Sequence, residues 1–492
     1  MLNNFQCEAA ASAAYQDMDT IVLLLCKECA PAVSKLNLPA AAEQMVCAYT
    51  AKYGDIYEPA SVRTLSALLD GKLVNIVIAG CGEGSGCKPN NFRKAAGAAA
   101  RELKKLKSRR AAVAAPLLLN PARGHYLQAV VEGLYLGAYT FGKFKSEEKA
   151  PEECRITVAA AAEDAAAAAG RGEIIAGAVC MARDLVNRPG NDLNPEIMAD
   201  IAEEAAREYG LEIEILDEDM MAAKGMNAIL AVGQGSASGP RLITLKYNGA
   251  GSAPYTAYVG KGITFDSGGI SIKPGENMGE MKDDMTGSAD VLAAVIAAAR
   301  LKLPCNLMGI LACAENMPGG KAQRPGDIVR AASGKTIEVV STDAEGRMVL
   351  ADAVWYACRQ GAARVIDIAT LTGAVIIALG TETSGIVAND DALARAIIEA
   401  GHKAGENYWQ LPALPECREA LKSDAADLLN SAGRAGGCIT GGLFIGEFVD
   451  KDIPWAHIDI GGTATAEKTA GFKVKGGTGF GTMTLIRLAG SL

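Results

Sequence analysis

The stretch Val259-Gly-Lys261-Gly-Ile-Thr-Phe-Asp266-Ser-Gly-Gly-Ile-Ser-Ile-Lys273 leaves a predicted strand over residues 256–259 and enters a glycine-rich loop. The same part of the chain carries further predicted strands over residues 212–216, 242–247, 307–312, 336–340 and 364–368. Helices that begin at Pro195, Gly287 and Met348 alternate with these strands. This alternation predicts an α/β domain in which helices flank a mostly parallel central sheet. Ligands bind such sheets at the carboxyl ends of the strands, where this stretch is expected to lie.

A second segment, Ser341-Thr-Asp343-Ala-Glu345-Gly-Arg347, also follows a predicted strand and is expected at the same edge. Together with Asp266 and Asp284, its two acidic residues carry four negative charges, which two divalent cations would neutralise. Bridging carboxylates hold paired metals roughly 3.5 to 4 Å apart. Lys273 and Arg347 are then left as cations that can stabilise an oxyanion. The two segments therefore predict a two-metal hydrolytic site.

The histidines narrow the kind of metal site. The three in the chain, His125, His402 and His457, lie far apart, which excludes zinc proteases built on two helical histidines and a glutamate. Oxygen ligands alone suit Mg or Mn, whereas an amine donor from Lys261 leaves Zn, Mn or Co open. A lysine binds a metal only as the neutral amine, so we expect an adjacent dication to lower the pKa of Lys261 strongly. We interpret His457 as a core histidine.

Composition limits the partners. The 492 residues suffice for roughly two or three domains, and half of them are hydrophobic. A formal net charge of −9 argues against a broad nucleic-acid or anionic-membrane surface. The N-terminus lacks the pattern of a secretory signal, and the apolar runs are shorter than the roughly 20 residues that cross a bilayer. We therefore expect a cytoplasmic protein with no membrane partner.

The thirteen cysteines are scattered and odd in number, which fits reduced thiols better than disulfides. Cys26-Lys-Glu-Cys29 is the one spacing to weigh as a redox or zinc site. It has no second such pair and no histidine nearby in the sequence, so we interpret it as buried or incidental thiols.

The N-terminal third predicts an α/β domain of its own. A strand over residues 73–79, a glycine loop over residues 80–86 and a helix over residues 91–104 follow one another, and a strand over residues 154–158 closes the domain. Such a loop can hold a phosphate, but its glycines do not fit the spacing of a nucleotide motif. No nucleotide is predicted there.

We place the domain boundaries so that residues 1–160 form the N-terminal domain and residues 187–492 the second domain. Residues 161–186 form a helix that connects them. Asn194 is predicted to cap the following helix and Pro195 to occupy its first position.

These segments resemble the leucyl (cytosol) aminopeptidase family. The family signature Asn-Thr-Asp-Ala-Glu-Gly-Arg-Leu differs from residues 341–348 only at the first and last positions, and residues 259–273 follow the other signature throughout. Further matching motifs are Arg324-Pro-Gly-Asp327, Ala369-Thr-Leu-Thr-Gly373 and Asn187-Arg-Pro-Gly-Asn191. The resemblance spans residues 175–487 and is weak in the N-terminal third.

The resemblance implies a variable, macro-domain-like N-terminal α/β domain, a catalytic α/β domain and a homohexamer. It implies two divalent metal ions, with Mn or Zn favoured and Mg or Co as alternatives. One metal would be bound by Lys261, Asp266, Asp284 and Glu345, and the other by Asp266, Asp343 and Glu345. Lys273 and Arg347 would be the catalytic pair. In the family a metal-bridging water attacks the scissile carbonyl, and a bicarbonate held by the arginine acts as the base.

The resemblance also implies peptide substrates that lose their N-terminal residue. The family alignment places the substrate pocket at Met281, Thr370, Gly373, Gly461 and Ala464. Apolar walls around a small cleft suit a Leu or Met side chain. Asp283, which precedes the motif residue Asp284, is interpreted as a solvated neighbour.

Two other functions are consistent with parts of the sequence. Carboxylate-bridged metals also serve phosphoesterases, which makes that class the alternative for the second domain. The N-terminal domain could instead bind ADP-ribose-like ligands or DNA, although the net acidity counts against DNA.

Overall fold

The computed structural model describes residues 5–83, 87–146 and 153–491. The strands are β1 Phe5–Ala10, β2 Thr20–Leu25, β3 Val62–Leu69, β4 Lys72–Gly80, β5 Arg110–Ala114, β6 Cys154–Ala159, β7 Glu212–Leu216, β8 Arg241–Asn248, β9 Tyr255–Asp266, β10 Asn306–Asn316, β11 Ile328–Arg330, β12 Thr336–Glu338, β13 Ala362–Ala369, β14 Thr383–Ala388, β15 Asn407–Gln410, β16 Leu428–Leu429, β17 Trp455–Asp459, β18 Thr465–Ala466 and β19 Gly476–Gly477. The α-helices are α1 Ala40–Lys52, α2 Pro89–Lys105, α3 Gly124–Ala138, α4 Ala165–Asn187, α5 Pro195–Tyr209, α6 Glu218–Ala223, α7 Asn227–Gly233, α8 Thr286–Leu301, α9 Gly346–Arg359, α10 Gly373–Leu379, α11 Asp391–Ala404, α12 Pro415–Glu419, α13 Gly437–Gly446 and α14 Thr482–Ala489. Short 3-10 helices span Tyr15–Asp17, Lys27–Leu36, Gly54–Tyr57, Pro116–Leu119, Pro121–Arg123 and Met278–Asp283.

The chain divides into two units. The first comprises Met1–Cys180 with Glu467–Lys475, and the second comprises Met181–Ala466 with Gly476–Leu492. The return of Glu467–Lys475 to the first unit has no signal in the sequence. Within that unit the Arg93 guanidinium lies 5.8 Å from the centre of the Phe472 ring. The domain boundaries at residues 160 and 186 stay predictions.

The first unit is built on a six-stranded sheet in the order β1-β6-β5-β2-β4-β3. Neighbouring strands run parallel except β3 and β4, which form an antiparallel pair. Alternate side chains of β2, from Ile21, Leu23 and Leu25, enter one hydrophobic cluster, as the two-residue period of a strand requires. The first-domain strands and helix predicted from the sequence are confirmed as β4, β6 and α2.

The second unit is built on an eight-stranded sheet in the order β15-β14-β17-β13-β9-β10-β8-β7. The four central strands, β10, β9, β13 and β17, are parallel to one another. The antiparallel pairs are β7 with β8, β8 with β10, and β14 with β17. Helix α8 packs on β9 and is contacted by α5 and α14, whereas α9 packs on β9 and is contacted by α7 and α13. The mostly parallel sheet with flanking helices is confirmed.

Local signals locate most elements of the second unit. The predicted strands over residues 212–216, 242–247, 307–312 and 364–368 correspond to β7, β8, β10 and β13. Helix α5 begins at Pro195, and the Asn194 side chain caps it by accepting a hydrogen bond from the Ile197 N–H at 2.9 Å. The helix start is therefore confirmed.

Two strand predictions near the candidate site need correction. β9 continues to Asp266 because its backbone keeps pairing with β10, so Lys261 and Asp266 lie within the strand and not after it. The strand predicted over residues 336–340 is wrong in length and in place. Only Thr336–Glu338 is extended, and it joins a separate three-stranded sheet with β11 and β16. A short apolar run has the same period in either sheet, so its sequence does not reveal its partner.

Helix α4 begins at Ala165, after Glu163 and Asp164, four residues later than the connecting helix predicted over residues 161–186. Its 23 residues are long and apolar enough to cross a membrane by length and composition, which corrects the expectation that every apolar segment is too short. Half of its most apolar 18-residue stretch is buried inside the protein. Core helices of soluble proteins meet the same criteria of length and composition, so the helix is weak evidence for a membrane span.

Candidate active site

Lys261 reaches two carboxylates at the carboxyl end of the central sheet. Its Nζ lies 2.7 Å from Asp284 Oδ2 and 3.0 Å from Glu345 Oε1, and it donates to the Thr370 carbonyl oxygen at 2.8 Å. All three ionisable side chains are buried. A Cβ on Gly346 would lie 2.5 Å from Lys261 Cε, so the glycine that begins α9 leaves room for the lysine.

Lys273 lies between the other two acids. Its Nζ is 2.8 Å from Asp266 Oδ2 and 2.7 Å from Asp343 Oδ1. The intervening loop turns back at Gly268 and Gly269, whose φ angles of 85° and 66° favour glycine. The Lys273 side chain is 23% exposed and that of Asp343 39%, so this half of the site is open to solvent.

The four acids form one cluster. The ligand oxygens of Asp266, Asp343 and Glu345 lie within 4.8 Å of one another, and Asp284 adjoins them through Lys261. Carboxylate oxygens with one amine nitrogen are a donor set that divalent metals such as Mn or Zn accept. Among the described residues, Glu345 Oε2 is buried and has no hydrogen-bond partner. The residues therefore fit a metal centre.

Burial and mutual repulsion set the charges of the cluster. Burial raises the pKa of Asp284 well above its ordinary value and also raises that of Glu345, and Asp266 adds to both shifts. Burial alone would lower the pKa of Lys261 and Lys273, but the surrounding carboxylates outweigh it and raise both pKa values. The protein's own charges thus favour the ammonium forms. A divalent cation beside Lys261 would reverse that direction.

Asn316, which the sequence analysis missed, orients Asp266. Its Nδ2 donates to Asp266 Oδ1 at 2.8 Å and to the Thr342 carbonyl oxygen at 3.0 Å. The Gly268 N–H donates to the same Asp266 oxygen at 2.9 Å, so Oδ2 is the oxygen directed at Lys273. Asn316 ends β10 but lies four residues beyond the strand predicted over residues 307–312, so the prediction gave no signal for it.

Arg347 is buried in the first turn of α9. Its NH1 donates to the Asn430 carbonyl oxygen at 2.9 Å, while its Nε has no hydrogen-bond partner in the described part of the chain. Burial lowers the pKa of Arg347. The Asn430 side chain accepts from the Val340 N–H at 2.8 Å and donates to the Ser341 carbonyl oxygen at 2.7 Å. Asn430, also missed from sequence, therefore holds the second motif in place.

One predicted pocket residue, Thr370, contacts the acid cluster directly. Its Oγ1 donates to Asp284 Oδ1 at 2.8 Å, in addition to the bond that its carbonyl accepts from Lys261. Met281 lies in the 3-10 helix that ends just before Asp284 and is partly exposed.

Another predicted pocket residue, Gly461, contacts Asp459, a third residue missed from sequence. Its carboxylate accepts from the Leu371 N–H at 3.2 Å, the Gly461 N–H at 3.1 Å and the Thr372 hydroxyl at 2.7 Å. A Cβ on Gly461 would lie 2.6 Å from the Thr372 carbonyl oxygen, so only glycine allows this approach. By contrast, a Cβ on Gly373 would meet open space. Ala464 is buried, at 2% exposure.

Two neighbours of the motifs have structural roles. His457 is fully buried, and its Nδ1 pairs with Asp367 Oδ1 at 2.5 Å, which confirms a hydrogen-bonded core histidine. Asp283 is partly buried and not fully solvated, so that interpretation was wrong. Burial, with Glu280 nearby, raises the pKa of Asp283 to about 6.

Comparison with known proteins identifies the family. The model of the cytosol aminopeptidase family catalytic domain matches residues 180–486, and that of the family's N-terminal domain matches residues 50–148. The chain belongs to the cytosol aminopeptidase family. The family's N-terminal domain is thus present in the third where the resemblance by motif was weak.

Relatives and solved structures agree with this membership. A probable cytosol aminopeptidase of Streptomyces coelicolor is 47% identical over 425 residues, which are 82% of this chain and 81% of the relative. One of Alkaliphilus metalliredigens is 44% identical over 425 residues, 85% of each protein. The bottromycin maturation enzyme BotP in complex with Mn superposes with a TM-score of 0.86 at 35% identity, covering 96% of this chain and 99% of that chain. A tomato leucine aminopeptidase mutant gives 0.87 at 30% identity, covering 100% and 97%.

Membership settles the reaction class. The chain is a hydrolase, a metal-dependent aminopeptidase of the cytosol aminopeptidase family, with an N-terminal α/β domain and a catalytic α/β domain. This decides between peptide and phosphoester hydrolysis in favour of peptides.

Proposed function

We propose that the chain removes apolar N-terminal residues, Leu and Met above all, from peptides with the help of two divalent cations. Lys261, Asp266, Asp284 and Glu345 would hold one cation, and Asp266, Asp343 and Glu345 the other. The observation that carries this proposal is the convergence of the ligand oxygens of Asp266, Asp343 and Glu345 within 4.8 Å. Mn is favoured because BotP is described in complex with Mn, and Zn, Co and Mg remain alternatives.

Divalent cations at this site supply Lewis acidity, lower the pKa of a water and bind a neutral α-amine. The protein's own residues supply the rest. Lys273 would donate from its ammonium to the carbonyl oxygen as negative charge develops on it. Asn316 would keep Asp266 in a single orientation, because it occupies the oxygen that does not face Lys273.

Arg347 would hold a planar anion such as bicarbonate, which would accept the proton released by the attacking water. Support comes from its burial and from its Nε, which makes no hydrogen bond to the described residues. Met281, Thr370, Gly373, Gly461 and Ala464 would line the pocket for the N-terminal side chain. Gly373 leaves open space there, Gly461 allows the close approach of the Thr372 backbone, and the Thr370 hydroxyl is hydrogen-bonded to the acid cluster.

We also propose a cytoplasmic homohexamer. The relatives carry the name cytosol aminopeptidase. The catalytic unit exposes large apolar side chains, including Ile377 at 89% and Trp409 at 66%, which a neighbouring subunit would cover.

Leu-Gly-Gly and its N-acetyl form test the proposed activity. A free α-amine is a ligand and an amide is a poor one, so the free peptide should be cut after Leu and the acetylated peptide should be inert. Activity should rise from neutral to mildly alkaline pH as the α-amine, with a reference pKa of about 7.7 to 8.0, loses its proton. Comparable cleavage of both peptides, or release of residues from the C-terminus, would overturn the proposal.

A further inference from the structure

The first unit gathers cysteines that lie far apart in the sequence. Cys26 directly follows β2 and Cys81 directly follows β4, and these two strands are parallel neighbours. Cys29 lies one turn into the 3-10 helix that begins after Cys26, and Cys87 precedes α2. The thiols therefore lie at the carboxyl ends of adjacent parallel strands, where α/β sheets bind ligands.

Sulfur and oxygen ligands converge at this edge. Cys26 Sγ, Cys87 Sγ and a Glu28 carboxylate oxygen lie within 4.8 Å of one another, and the Cys29 thiol is hydrogen-bonded to Cys26. In tetrahedral zinc sites, with Zn–S bonds of about 2.3 Å, ligand atoms lie roughly 3.8 Å apart. Shifts of about 1 Å would therefore bring the cluster to coordination distance.

We propose that Cys26, Glu28, Cys29 and Cys87 form a binding site for a thiolate-preferring divalent cation of the Zn²⁺ class, separate from the catalytic cluster. Three sulfurs and one carboxylate are a donor set that selects such cations, whereas the oxygen-rich catalytic cluster accepts harder ones. Cys87 supplies what the Cys26-x-x-Cys29 motif alone lacked, because the fold adds a third thiol to the pair.

The four proposed ligands differ in their exposure to solvent, which leaves one side of the site open for a cation to enter. Cys26 is buried, Cys29 and Cys87 are partly exposed, and Glu28 is exposed. Hydrogen bonds from the Cys29 and Cys87 thiols lower the pKa of Cys26 to about 6, which favours the thiolate that binds metals. The same hydrogen bond to Cys26 raises the pKa of Cys29, and burial raises the pKa of Cys87 to about 12. Cys81 differs from the four ligands in that it is fully buried in the core. It remains a packed thiol.

The backbone around the cluster is held independently of any cation. The Cys81 N–H donates to the Leu25 carbonyl oxygen at 2.8 Å, and the Lys27 N–H donates to the Gly82 carbonyl oxygen at 3.2 Å. The Tyr126 hydroxyl donates to the Cys87 carbonyl oxygen at 2.7 Å. These bonds bring the ligands together before binding, so the cation does not have to order the chain.

Titration with Co²⁺ tests the site in the full-length protein, reduced and stripped of metal under anaerobic conditions. Thiolate ligands give an intense sulfur-to-cobalt charge-transfer absorption, which the oxygen and amine ligands of the catalytic cluster cannot produce. We expect this absorption in the wild type and its loss in Cys26→Ser and Cys87→Ser. In parallel, the Zn²⁺ content of the two variants should fall by one ion per chain. Glu28→Gln should retain the absorption but bind Co²⁺ more weakly.

Cys47→Ser is the matched control, because Cys47 is an exposed thiol on α1 outside the cluster, and it should leave the absorption unchanged. Cys26 is buried, so its replacement could unfold the domain. Cys87 is partly exposed, and its variant, checked by circular dichroism, keeps the test decisive. No thiolate absorption in the reduced wild type, or an absorption that survives Cys87→Ser, would overturn the proposal. The proposal would also be overturned if the untreated protein held a Cys26–Cys29 disulfide and the reduced protein took up no cation.

Discussion

Replacing Lys273 with alanine removes one cation from the centre of the acid cluster. Its Nζ is held 2.8 Å from Asp266 and 2.7 Å from Asp343, and its side chain is 23% exposed. Loss of one oxyanion donor typically costs about 100- to 1,000-fold in kcat. Because solvent already reaches this lysine, water replaces part of the lost stabilisation, and we expect a loss near the lower limit, about 100-fold. KM should change less.

The bound metal provides the second readout for Lys273→Ala. Both carboxylates lose a competing ammonium, so the metal content should stay the same or rise. Steady-state kinetics on a leucyl anilide and metal analysis of the same preparation measure the two effects. Lys403→Ala is the control, since Lys403 forms an exposed pair with Glu399 on α11 and such pairs contribute at most about 1 kcal/mol. An unchanged kcat with a raised KM would assign Lys273 to uniform substrate binding and refute the reasoning.

Three further perturbations address the ligands, the packing around them and the stability of the catalytic unit. Asp266→Ala should abolish activity and lower the bound metal while the circular dichroism spectrum stays native, and full metal content with normal turnover would exclude Asp266 as a bridging ligand. Gly346→Ala should displace Lys261, because the added Cβ would lie 2.5 Å from its Cε, and so lower both kcat and metal affinity; wild-type values for both would contradict that packing. Burial raises the pKa of Asp352 to about 7. The folded protein then keeps a proton that the unfolded chain loses above about pH 4, so stability should fall as pH rises from about 4 to 7 and level off above it. The free energy of unfolding should decrease by up to about 4 kcal/mol over this range, and this decrease should be absent in Asp352→Asn. Parallel pH profiles of the free energy of unfolding for the two proteins would show that Asp352 does not titrate in this range.

The sequence predicted the elements whose signals are local. Asn194 and Pro195 determine where α5 begins, since a side-chain cap and a fixed φ act within one turn. The alternation of strands and helices likewise identified the class of the catalytic fold. The placement of β12 was wrong, because its strand partners depend on segments elsewhere in the chain and not on its own residues.

Sequence by itself also determined which side chains are proposed to carry the chemistry, because each motif presents its acids and its cation within a few residues of one another. Only the tertiary structure decided how those side chains are paired and held. Asn316 reaches Asp266 across 50 residues, and Lys261 reaches the Thr370 carbonyl across 109. The thiols of Cys26 and Cys87 likewise meet only because β2 and β4 are neighbours. Residue spacing governs contacts within a turn or a loop, whereas contacts over such distances follow from strand order and register, which are set by packing of the whole chain.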